Sequence, residues 1–389
     1  MRRVAIVGAG QSRFGDFPGM SIKELFAEAY AECAASVDRG IPPRAIDAVF
    51  LGTLGTGGFQ LGQPAALLTS YVGLAAVPSV RIENACASGG FALLSAVHAV
   101  CAGVYRTVLV AGVEKMRDLS ADHVRYWLGV SGDTEYERLA GLTFAGIYAM
   151  MARHYLARYN VPRIYLSKVA EKNHAHGVLN KKAHLRRQIS LEEAQSAPMV
   201  ADPLNLFDCS PTSDGAACVL ITSEDHADRF TDRPVWILGY GAGGDHLALH
   251  DRQDWCSLAA TRDASRRAYE MAGLGPLDID LAEVHDCFTI AELLAYEDLG
   301  FCNRGEAPSL LDKGVTRIGG SLPVNLGGGL KSKGHPLGAT GVAQVAEMFF
   351  QLRGQAGERQ ASKHRTGLTH NVGGSGGTAV VFILGRDLD

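Results

Sequence analysis

Two short segments of the sequence carry residue types that could together perform thiol-based nucleophilic chemistry. In residues 84–90 (NACASGG), Cys86 stands between a strand-like segment and an apolar helix that opens with small residues. Backbone N–H groups and the dipole at a helix N-terminus favour a thiolate, and small neighbours would let a substrate approach the sulfur. A free cysteine is also commonly a small buried hydrophobe, so Cys86 alone leaves both interpretations open.

The second segment supplies the base that such a thiol needs. Residues 334–341 (GHPLGATG) place His335 directly before a proline that suits the first turn of a helix. An imidazole in this position can act as a general base towards a nearby thiol. A lone histidine is more often structural, but small residues surround His335, which favours a functional role over space filling.

Two further segments are weak signals when taken singly. Residues 285–288 (HDCF) follow a predicted strand directly, and the carboxyl ends of strands are where sites in α/β proteins usually open. This places Cys287 and His285 at such an end. Residues 370–377 (HNVGGSGG) carry glycines that could bring backbone N–H donors up to a developing oxyanion, although a glycine cluster is also a common turn.

The elements around these segments indicate an α/β protein with largely buried sheets, because short β-branched runs alternate with helical patterns. The predicted strands lie at 4–7, 48–51, 108–111, 235–238, 281–284, 367–371 and 378–384, and the predicted helices at 22–37 and 258–271. The second half repeats the order of the first, which indicates an internal duplication. Residues 80–104 and 324–353 are its equivalents, each a glycine-bearing turn that opens an apolar helix. Residues 119–207 lose the strand rhythm and are interpreted as an inserted subdomain.

Composition narrows the class of protein. The 389 residues can form two or three domains, and the formal net charge of -4 does not favour nucleic acid or an anionic membrane. The 46 glycines predict many tight turns or close backbone contacts. The eight scattered cysteines, without a CxxC pair, indicate free thiols in a reducing compartment. The apolar run after the first arginines is too short for a signal peptide, and no apolar run approaches the ~20 residues of a membrane span. The cytoplasm is therefore the predicted location.

Three other interpretations fail on spacing. A dinucleotide-binding fingerprint beginning at Gly8 would need its third glycine at Arg13, and residues 329–334 are followed by His335 instead of the lysine of a phosphate-binding loop. The histidines of residues 174–184 lack the cysteine pairs or the helical spacing of a zinc site. No metal site is predicted.

Taken in order, the four segments resemble the thiolase family, and the opening VAIVGAG and the GVEKM of residues 112–116 extend this resemblance over essentially the whole chain. The subgroup that fits best contains the sterol carrier protein-type thiolases and the archaeal and bacterial acetyl-CoA acetyltransferases, because HDCF stands where other thiolases carry an NEAF-like segment. Those thiolases also have a catalytic cysteine in a C-x-G-G-G motif near the end, where His370 or Asn371 lies here. The subgroup resemblance implies that Cys287 supplies the missing acid and base.

The fold that this resemblance implies is the thiolase fold, with two duplicated α/β halves stacked in five layers, αβαβα. The first half would be 1–118, completed by about 208–232. The inserted loop domain would be 119–207, and the second half 233–389. Family members are dimers or tetramers, so a homodimer or homotetramer is expected.

The resemblance also implies a role for each reactive residue. Cys86 would attack a thioester and His335 would take its proton, while Cys287 would remove an α-proton from a second acyl-CoA. His285 and His335 would hydrogen bond the enolate oxygen, and the backbone N–H groups of Cys86 and Gly373 would hold the tetrahedral oxyanion. Coenzyme A and acyl-CoA are substrates, and no permanently bound cofactor is expected. Basic residues of 181–187 would meet the CoA phosphates or form a solvated face; the CoA-contacting residues are otherwise not assigned.

Two rival functions remain. Some relatives of the subgroup are carbon–carbon lyases that work with a small OB-fold partner protein and lack the nucleophilic cysteine, so Cys86 favours the thiolase. The chain could also be a scaffold within a multi-enzyme complex, against which the complete catalytic set argues. The sequence does not fix the acyl-chain length or the direction of the reaction in the cell.

Overall fold

The computed structural model describes residues 2–42 and 44–387. The strands are β1 Val4–Gln11, β2 Ala48–Gly52, β3 Ser79–Ile82, β4 Thr107–Glu114, β5 Met199–Ala201, β6 Leu204–Asn205, β7 Gly215–Ser223, β8 Val235–Gly244, β9 Leu281–Glu283, β10 Thr366–Gly373 and β11 Thr378–Gly385. The helices are α1 Ile22–Ala35, α2 Pro64–Tyr71, α3 Ser88–Cys101, α4 Ala121–Gly129, α5 Phe144–Arg158, α6 Ile164–Val178, α7 Leu191–Ser196, α8 Ala259–Ala272, α9 Thr289–Asp298, α10 Ala307–Asp312, α11 Gly329–Lys333 and α12 Leu337–Leu352.

Each predicted strand and helix is present, with bounds shifted by a few residues. The helix predicted at 22–37 begins where Ser21 and Glu24 form a capping box, and it ends at Ala35. The strand predicted at 108–111 extends over 107–114. All of its residues are buried in the sheet, including the polar residues Thr107 and Glu114 at its two ends. Boundaries depend on tertiary contacts that the hydrophobic pattern does not contain.

The sheet confirms the internal duplication. The strand order is β3-β2-β4-β7-β1-β8-β11-β10-β9. In the first half β2 is parallel to β3 and β4, and β7 is antiparallel to β4 and β1. In the second half β9 is parallel to β10 and to an isolated bridge at Val324, and β11 is antiparallel to β10 and β8. Both halves therefore have the same connectivity, running outward in opposite directions from the β1–β8 pair.

Helices fill the space between and outside the two halves, giving the five layers. α3 and α12 pack on each other in the centre, with strands of the first half on one side and strands of the second half on the other. α1 covers the outer face of the first half, and α8 covers that of the second. The two motif-bearing helices thus meet in the core, as the sequence predicts.

Glycine permits the close contact of these central helices. A Cβ atom on Gly89 of α3 would lie 2.5 Å from the carbonyl oxygen of Gly338. A Cβ on Gly341 of α12 would lie 2.4 Å from the backbone nitrogen of Gly90. Both distances are far below van der Waals contact, so the motif glycines let the starts of α3 and α12 approach backbone to backbone.

Residues 119–207 are mostly helical, with α4 to α7 and the small β5–β6 hairpin. α5 and α6 pack against α9, which follows the HDCF segment, and α6 also packs against α11. The division at 118 and 207 stays a prediction. Within the described residues, none of the helices combines the length and the apolar character that crossing a membrane requires.

Candidate active site

The structure brings three of the predicted residues to one point. The sulfur of Cys86 and one imidazole nitrogen each of His285 and His335 lie within 4.8 Å of one another. The two imidazole rings are nearly perpendicular, with centroids 5.1 Å apart. Cys287 lines the same cavity as Cys86 and His335. Residues from one motif of the first half and two motifs of the second half therefore converge where α3 and α12 begin.

Cys86 lies in a tight turn between β3 and α3. The residue before it, Ala85, has a φ of +48°, a left-handed conformation that is strained for a residue with a side chain. Ser88 holds the turn, because its hydroxyl donates to the Ala85 carbonyl at 2.6 Å and accepts the Asn84 N–H at 2.9 Å. α3 begins only at Ser88, two residues after the thiol. The turn, and not the helix itself, presents the sulfur.

The electrostatic setting of Cys86 differs from the sequence-based expectation. Burial raises the pKa of the thiol to about 12, and the nearby carboxylate of Glu114 also raises it. Hydrogen bonds from the backbone N–H groups of Gly374 and of Cys86 itself act in the opposite direction without cancelling that rise. The expected lowering at a helix end was wrong, because desolvation outweighs it. The raised pKa favours the neutral thiol, which would need a base in order to act as a nucleophile.

His335 has the tautomer that such a base requires. Its Nδ1 lies 2.7 Å from the hydroxyl oxygen of Thr340, and that hydroxyl donates to the Pro336 carbonyl at 3.0 Å. The hydroxyl oxygen therefore accepts the Nδ1–H, and Nε2 carries the lone pair. Nε2 is buried and has no partner among the described residues. Burial lowers the pKa of His335 to about 3, so the ring is neutral and able to accept a proton.

His285 has the opposite hydrogen-bonding capacity. The side-chain oxygen of Asn371 accepts the Gly90 N–H at 3.3 Å, which orients the amide so that its nitrogen faces Nδ1 of His285 at 3.2 Å. Nδ1 then accepts, and Nε2 carries the hydrogen. Burial lowers the pKa of His285 well below its usual value, which keeps the ring neutral. Beside Cys86 there is thus one acceptor, on His335, and one donor, on His285.

Asn371, and not His370, faces the site. The Asn371 amide nitrogen also donates to the carbonyl oxygen of Cys86 at 3.1 Å. His370 lies behind His285, where its Nδ1 accepts the His285 backbone N–H at 3.5 Å and its Nε2 contacts the Thr261 hydroxyl at 2.9 Å. The position where other thiolases were expected to carry their second cysteine therefore holds an amide that orients His285.

Cys287 lies two residues before α9, which begins at Thr289. It is 6% exposed, and burial together with the proximity of Cys86 raises its pKa. The Ser210 N–H donates to the Cys287 carbonyl at 2.9 Å, and Ser213 accepts the His335 N–H at 3.3 Å. Residues 209–213 thus run between Cys287 and His335. Asp286 takes no part, since its carboxylate accepts the Leu330 N–H at 2.7 Å and supports α11.

The glycine turn of residues 373–377 approaches Cys86, while the assignment of Gly373 as oxyanion donor stays a prediction. The N–H that hydrogen bonds the sulfur belongs to Gly374. The predicted donor, Gly373, is the last residue of β10 and pairs there with Thr378. A Cβ on Gly373 would lie 2.8 Å from the carbonyl oxygen of Asn84, so this glycine allows the turn to contact the Cys86 segment.

Glu114 of the GVEKM segment ties the two halves together at this point. Its buried carboxylate accepts the Thr56 and Gly55 N–H groups at 2.7 and 2.9 Å. It also accepts the Gly338 N–H, in the first turn of α12, at 3.0 Å. Glu114 therefore fixes the start of the helix that follows His335.

A small cavity of about 80 Å³ adjoins the sulfur. Its wall is largely apolar and includes Met116, Leu128, Phe144, Pro211, Phe288 and Leu337. A wider, open groove of about 700 Å³ meets the same turn from the other side, at Gly373 and Gly374. The sulfur thus faces a narrow apolar space, and a larger open groove reaches the same turn.

Other candidates from the sequence lie elsewhere. His174 and His176 hydrogen bond backbone carbonyls of Arg187 and Asn325 at 2.7 and 3.0 Å. Among the described residues, the group of three side chains that could hold a metal ion is Cys86, His285 and His335, the residues to which the sequence assigns roles in acyl transfer. In the basic stretch, Lys182 pairs with Glu32 and Arg187 with Glu193, which favours a structural role for these two cations.

Sequence reasoning missed several residues that orient the reactive groups. Thr340 lies five positions after His335 in the same motif. The sequence shows this spacing, but it does not show that the Thr340 hydroxyl faces the His335 ring. Tyr148 hydrogen bonds Cys287 from the inserted segment, far away in the sequence. Its contact with Cys287 depends on how α5 packs against α9, which no local pattern encodes.

Comparison with known proteins agrees with this geometry. The family model described as "Thiolase, N-terminal domain" matches residues 4–225, and "Thiolase C-terminal domain-like" matches residues 241–386. The chain belongs to the thiolase family. This thiolase is 44% identical to an acetyl-CoA acetyltransferase of Methanothermobacter thermautotrophicus, over 99% of this chain and 100% of that protein. It is 34% identical to human sterol carrier protein 2, over 98% of this chain and 72% of that protein.

Two solved structures show the same fold. The structure described as an Ltp2-ChsH2(DUF35) aldolase has a TM-score of 0.84 and 26% identity, covering 99% of this chain and 98% of that one. Human mitochondrial 3-ketoacyl-CoA thiolase has a TM-score of 0.74 and 21% identity, covering 99% of both chains. The expected thiolase fold is confirmed.

Proposed function

We propose that this thiolase-family acyltransferase forms or cleaves 3-oxoacyl-CoA through an acyl group carried on Cys86. The observation that carries the proposal is the pairing of a free acceptor on His335 with a free donor on His285 beside one sulfur, which lies within 4.8 Å of a nitrogen of each ring. A proton acceptor is what a neutral thiol needs to attack a thioester. A donor is what an oxyanion or enolate needs in order to form.

Acyl-enzyme formation follows from these positions. The Cys86 sulfur attacks the thioester carbonyl while its proton passes to Nε2 of His335. The backbone N–H groups of Cys86 and Gly374 hold the tetrahedral oxyanion; Gly373, the sequence-based choice, lies one residue earlier. The intermediate collapses with loss of the CoA thiolate, which takes the Cys287 proton and leaves that residue as a thiolate.

The condensing half-reaction uses the second thiol. The Cys287 thiolate removes an α-proton from a second acyl-CoA. Nε2–H of His285 and the protonated His335 hydrogen bond the resulting enolate oxygen. The carbanion attacks the acyl carbonyl on Cys86, a carbon–carbon bond forms, and the Cys86 thiolate leaves and recovers its proton from His335. Thiolysis runs the same steps backwards.

The proposed acyl group is short. The cavity beside the sulfur, about 80 Å³, is smaller than the ~150 Å³ cavity that admits benzene. The archaeal relative is named for acetyl transfer, which supports acetyl-CoA and acetoacetyl-CoA as substrates here. Coenzyme A is then a substrate that enters and leaves, and the mechanism requires no bound cofactor.

Thiolysis of acetoacetyl-CoA by the purified protein tests this function. We expect acetyl-CoA formation by the wild type and its loss in Cys86→Ala and in Cys287→Ala. Cys101→Ala is the matched control, because Cys101 is a half-buried thiol at the far end of α3. Inactivity of the wild type on 3-oxoacyl-CoAs of every length tested would contradict the proposal.

The second candidate is a partner-dependent carbon–carbon lyase. The specific observation in its favour is the TM-score of 0.84 to a structure described as an aldolase complex with a DUF35 protein. The complete cysteine and histidine set argues for the thiolase. Aldol cleavage that requires an added small OB-fold protein, together with absent thiolysis, would favour the lyase.

Self-association and location are also proposals. β3 is an edge strand in the described sheet, and Val80 on it and Tyr71 on α2 are 42% and 51% exposed. An open strand edge beside apolar side chains supports a homodimer, alone or within a homotetramer. Light scattering on the purified protein measures its mass. All eight cysteines are free, which supports a reducing compartment such as the cytoplasm.

A further inference from the structure

We propose that Tyr148 and Arg252 are positioning residues that hold the glycine turn of residues 373–377, so that the Gly374 N–H stays directed at the Cys86 sulfur. The inference rests on the proposed function, because that N–H is part of the proposed oxyanion hole. Neither side chain belongs to a motif of the sequence, and they come from different parts of the chain.

The turn cannot hold its own conformation. Four of its five residues are glycine, and Gly374 and Gly376 have φ values of +60° and +109°. Glycine has the largest backbone freedom of all residues, so a donor carried on such a turn is easily displaced. An oxyanion hole is effective only when its donors are fixed before the charge develops. The fixation therefore has to come from outside the turn.

Tyr148 fixes one side of the turn. Its hydroxyl donates to the carbonyl oxygen of Gly374 at 3.2 Å, on the same residue whose N–H bonds the sulfur. The tyrosine ring is fully buried and stacks on Phe288, with centroids 4.6 Å apart. Because the ring is packed, the hydroxyl has a defined position. α5, in the inserted segment, thereby orients the turn.

Arg252 fixes the other side. Its Nη1 donates to the Ser375 carbonyl at 2.7 Å, and its Nη2 donates to the Ser375 hydroxyl oxygen at 3.0 Å. The rigid fork of a guanidinium makes such a two-point contact directional. Its Nε is anchored on the His246 carbonyl at 2.8 Å, and the side chain is 1% exposed. The Ser375 hydroxyl in turn donates to the Leu247 carbonyl at 2.8 Å.

The effects of Tyr148 and Arg252 can be distinguished, because the two side chains have different contacts outside the turn. Tyr148 also hydrogen bonds Cys287, so a change at Tyr148 could act on either thiol. Arg252 reaches the turn through Ser375, and its four hydrogen bonds to described residues all end on oxygens of residues 246, 247 or 375. If the turn is what matters, both substitutions change Cys86 in the same way.

The first measurement is the rate of Cys86 alkylation by iodoacetamide against pH, followed on the Cys86 peptide by mass spectrometry. It uses no acyl-CoA and is independent of the proposed function. In Tyr148→Phe and Arg252→Lys, we expect the inflection to move upward by roughly one pH unit, because a loosened N–H stabilises the thiolate less. Tyr269→Phe is the control, since its hydroxyl donates to the Leu299 carbonyl at 3.0 Å, away from the site.

The second measurement is the rate of acyl-enzyme formation from acetyl-CoA in a single turnover. We expect a loss of roughly tenfold in both variants with little change in KM, less than the ~10²-fold that follows removal of an oxyanion donor. Wild-type alkylation and acylation in folded Tyr148→Phe would overturn the proposal. A change in Tyr148→Phe alone, with folded Arg252→Lys unaffected, would assign the hydroxyl to Cys287 and would also overturn it. Failure of the wild type to acylate would refute the proposed function, while the alkylation profile would still test the positioning.

Discussion

The turns that carry Cys86 and His335 occupy equivalent places in the duplicated halves, yet their surroundings differ. The Cys86 turn follows the edge strand β3, is half-buried and contains a strained residue, Ala85. The His335 turn lies between α11 and α12, and all residues of 323–349 are buried. One copy of the same connectivity is thus open enough for a substrate to reach its sulfur. The other is closed around a base whose orientation is fixed.

Both surroundings work against charge separation before substrate binds. Desolvation raises the pKa of Cys86 to about 12 and lowers that of His335 to about 3, so the neutral thiol and imidazole are favoured. In the proposed mechanism the proton therefore moves as the sulfur attacks, when the N–H donors stabilise the developing oxyanion. General-base catalysis, and not a preformed thiolate, is what this arrangement favours.

Removing either reactive side chain should have the largest effect. We expect Cys86→Ala to lose activity on the order of 10⁴-fold or more, because the covalent route is gone. His335→Ala should lose roughly 10²- to 10⁴-fold, the usual range for a general base. Steady-state thiolysis of acetoacetyl-CoA measures both. Near-wild-type turnover in folded His335→Ala would mean that another group takes the thiol proton.

The next effect concerns the orientation of the base. Thr340→Val removes the oxygen that accepts the Nδ1–H of His335, so the ring can adopt the tautomer without a lone pair at Nε2. We expect kcat to fall roughly 10- to 100-fold with KM nearly unchanged, since a wrong tautomer disables a base without altering substrate contacts. Thr340→Ser keeps the hydroxyl and should restore most of the rate. Equal activity of the Val and Ser variants would contradict the assigned tautomer.

The protonation state of Cys86 gives a third prediction. Because burial raises its pKa, the alkylation rate should still be increasing with pH above the ~8.5 of an unperturbed cysteine. Free enzyme without acyl-CoA is the sample, and the labelled Cys86 peptide is the readout. An inflection below pH 7 would instead indicate a stabilised thiolate, the state that the helix-end argument from the sequence favoured.

The smallest effect should be on acyl specificity. Phe144 lies in the wall of the cavity beside the sulfur, and Phe144→Ala should enlarge that space. We expect kcat/KM for a six-carbon 3-oxoacyl-CoA, relative to acetoacetyl-CoA, to rise roughly tenfold. This is about the change in kcat/KM that one or two methylene groups produce in an apolar pocket. Leu277→Ala, at a surface side chain that is 98% exposed, is the control. An unchanged ratio would place the chain-length limit elsewhere.

The sequence was sufficient for the parts of the molecule that depend on local pattern. Alternating strands and helices, the duplication, and the motif residues Cys86, His285, Cys287 and His335 were all visible, because periodicity and the position of reactive residues at the ends of strands and the starts of helices are local properties. That these residues meet at one site was expected from the resemblance to the thiolase family and from the pairing of the two central helices.

Properties that depend on burial or on distant contacts were not visible. The pKa of Cys86 was expected in the wrong direction because the sequence shows the helix end but not the desolvation. The hydrogen bond from the Gly374 N–H to the sulfur was not visible, because a run of glycines has no register by itself. Tyr148 and Arg252 contact the glycine turn of residues 373–377 although both lie more than a hundred positions before it in the sequence.

The central claim is that Cys86 carries the acyl group, and the most direct test is to find it. The purified protein is mixed with acetyl-CoA, quenched in acid, digested and analysed by mass spectrometry, alongside Cys86→Ala and Cys287→Ala. The proposed mechanism predicts one acetyl group on the Cys86 peptide in the wild type and in Cys287→Ala, and none in Cys86→Ala. Acetyl on Cys287, or a labelled protein that persists in Cys86→Ala, would contradict it.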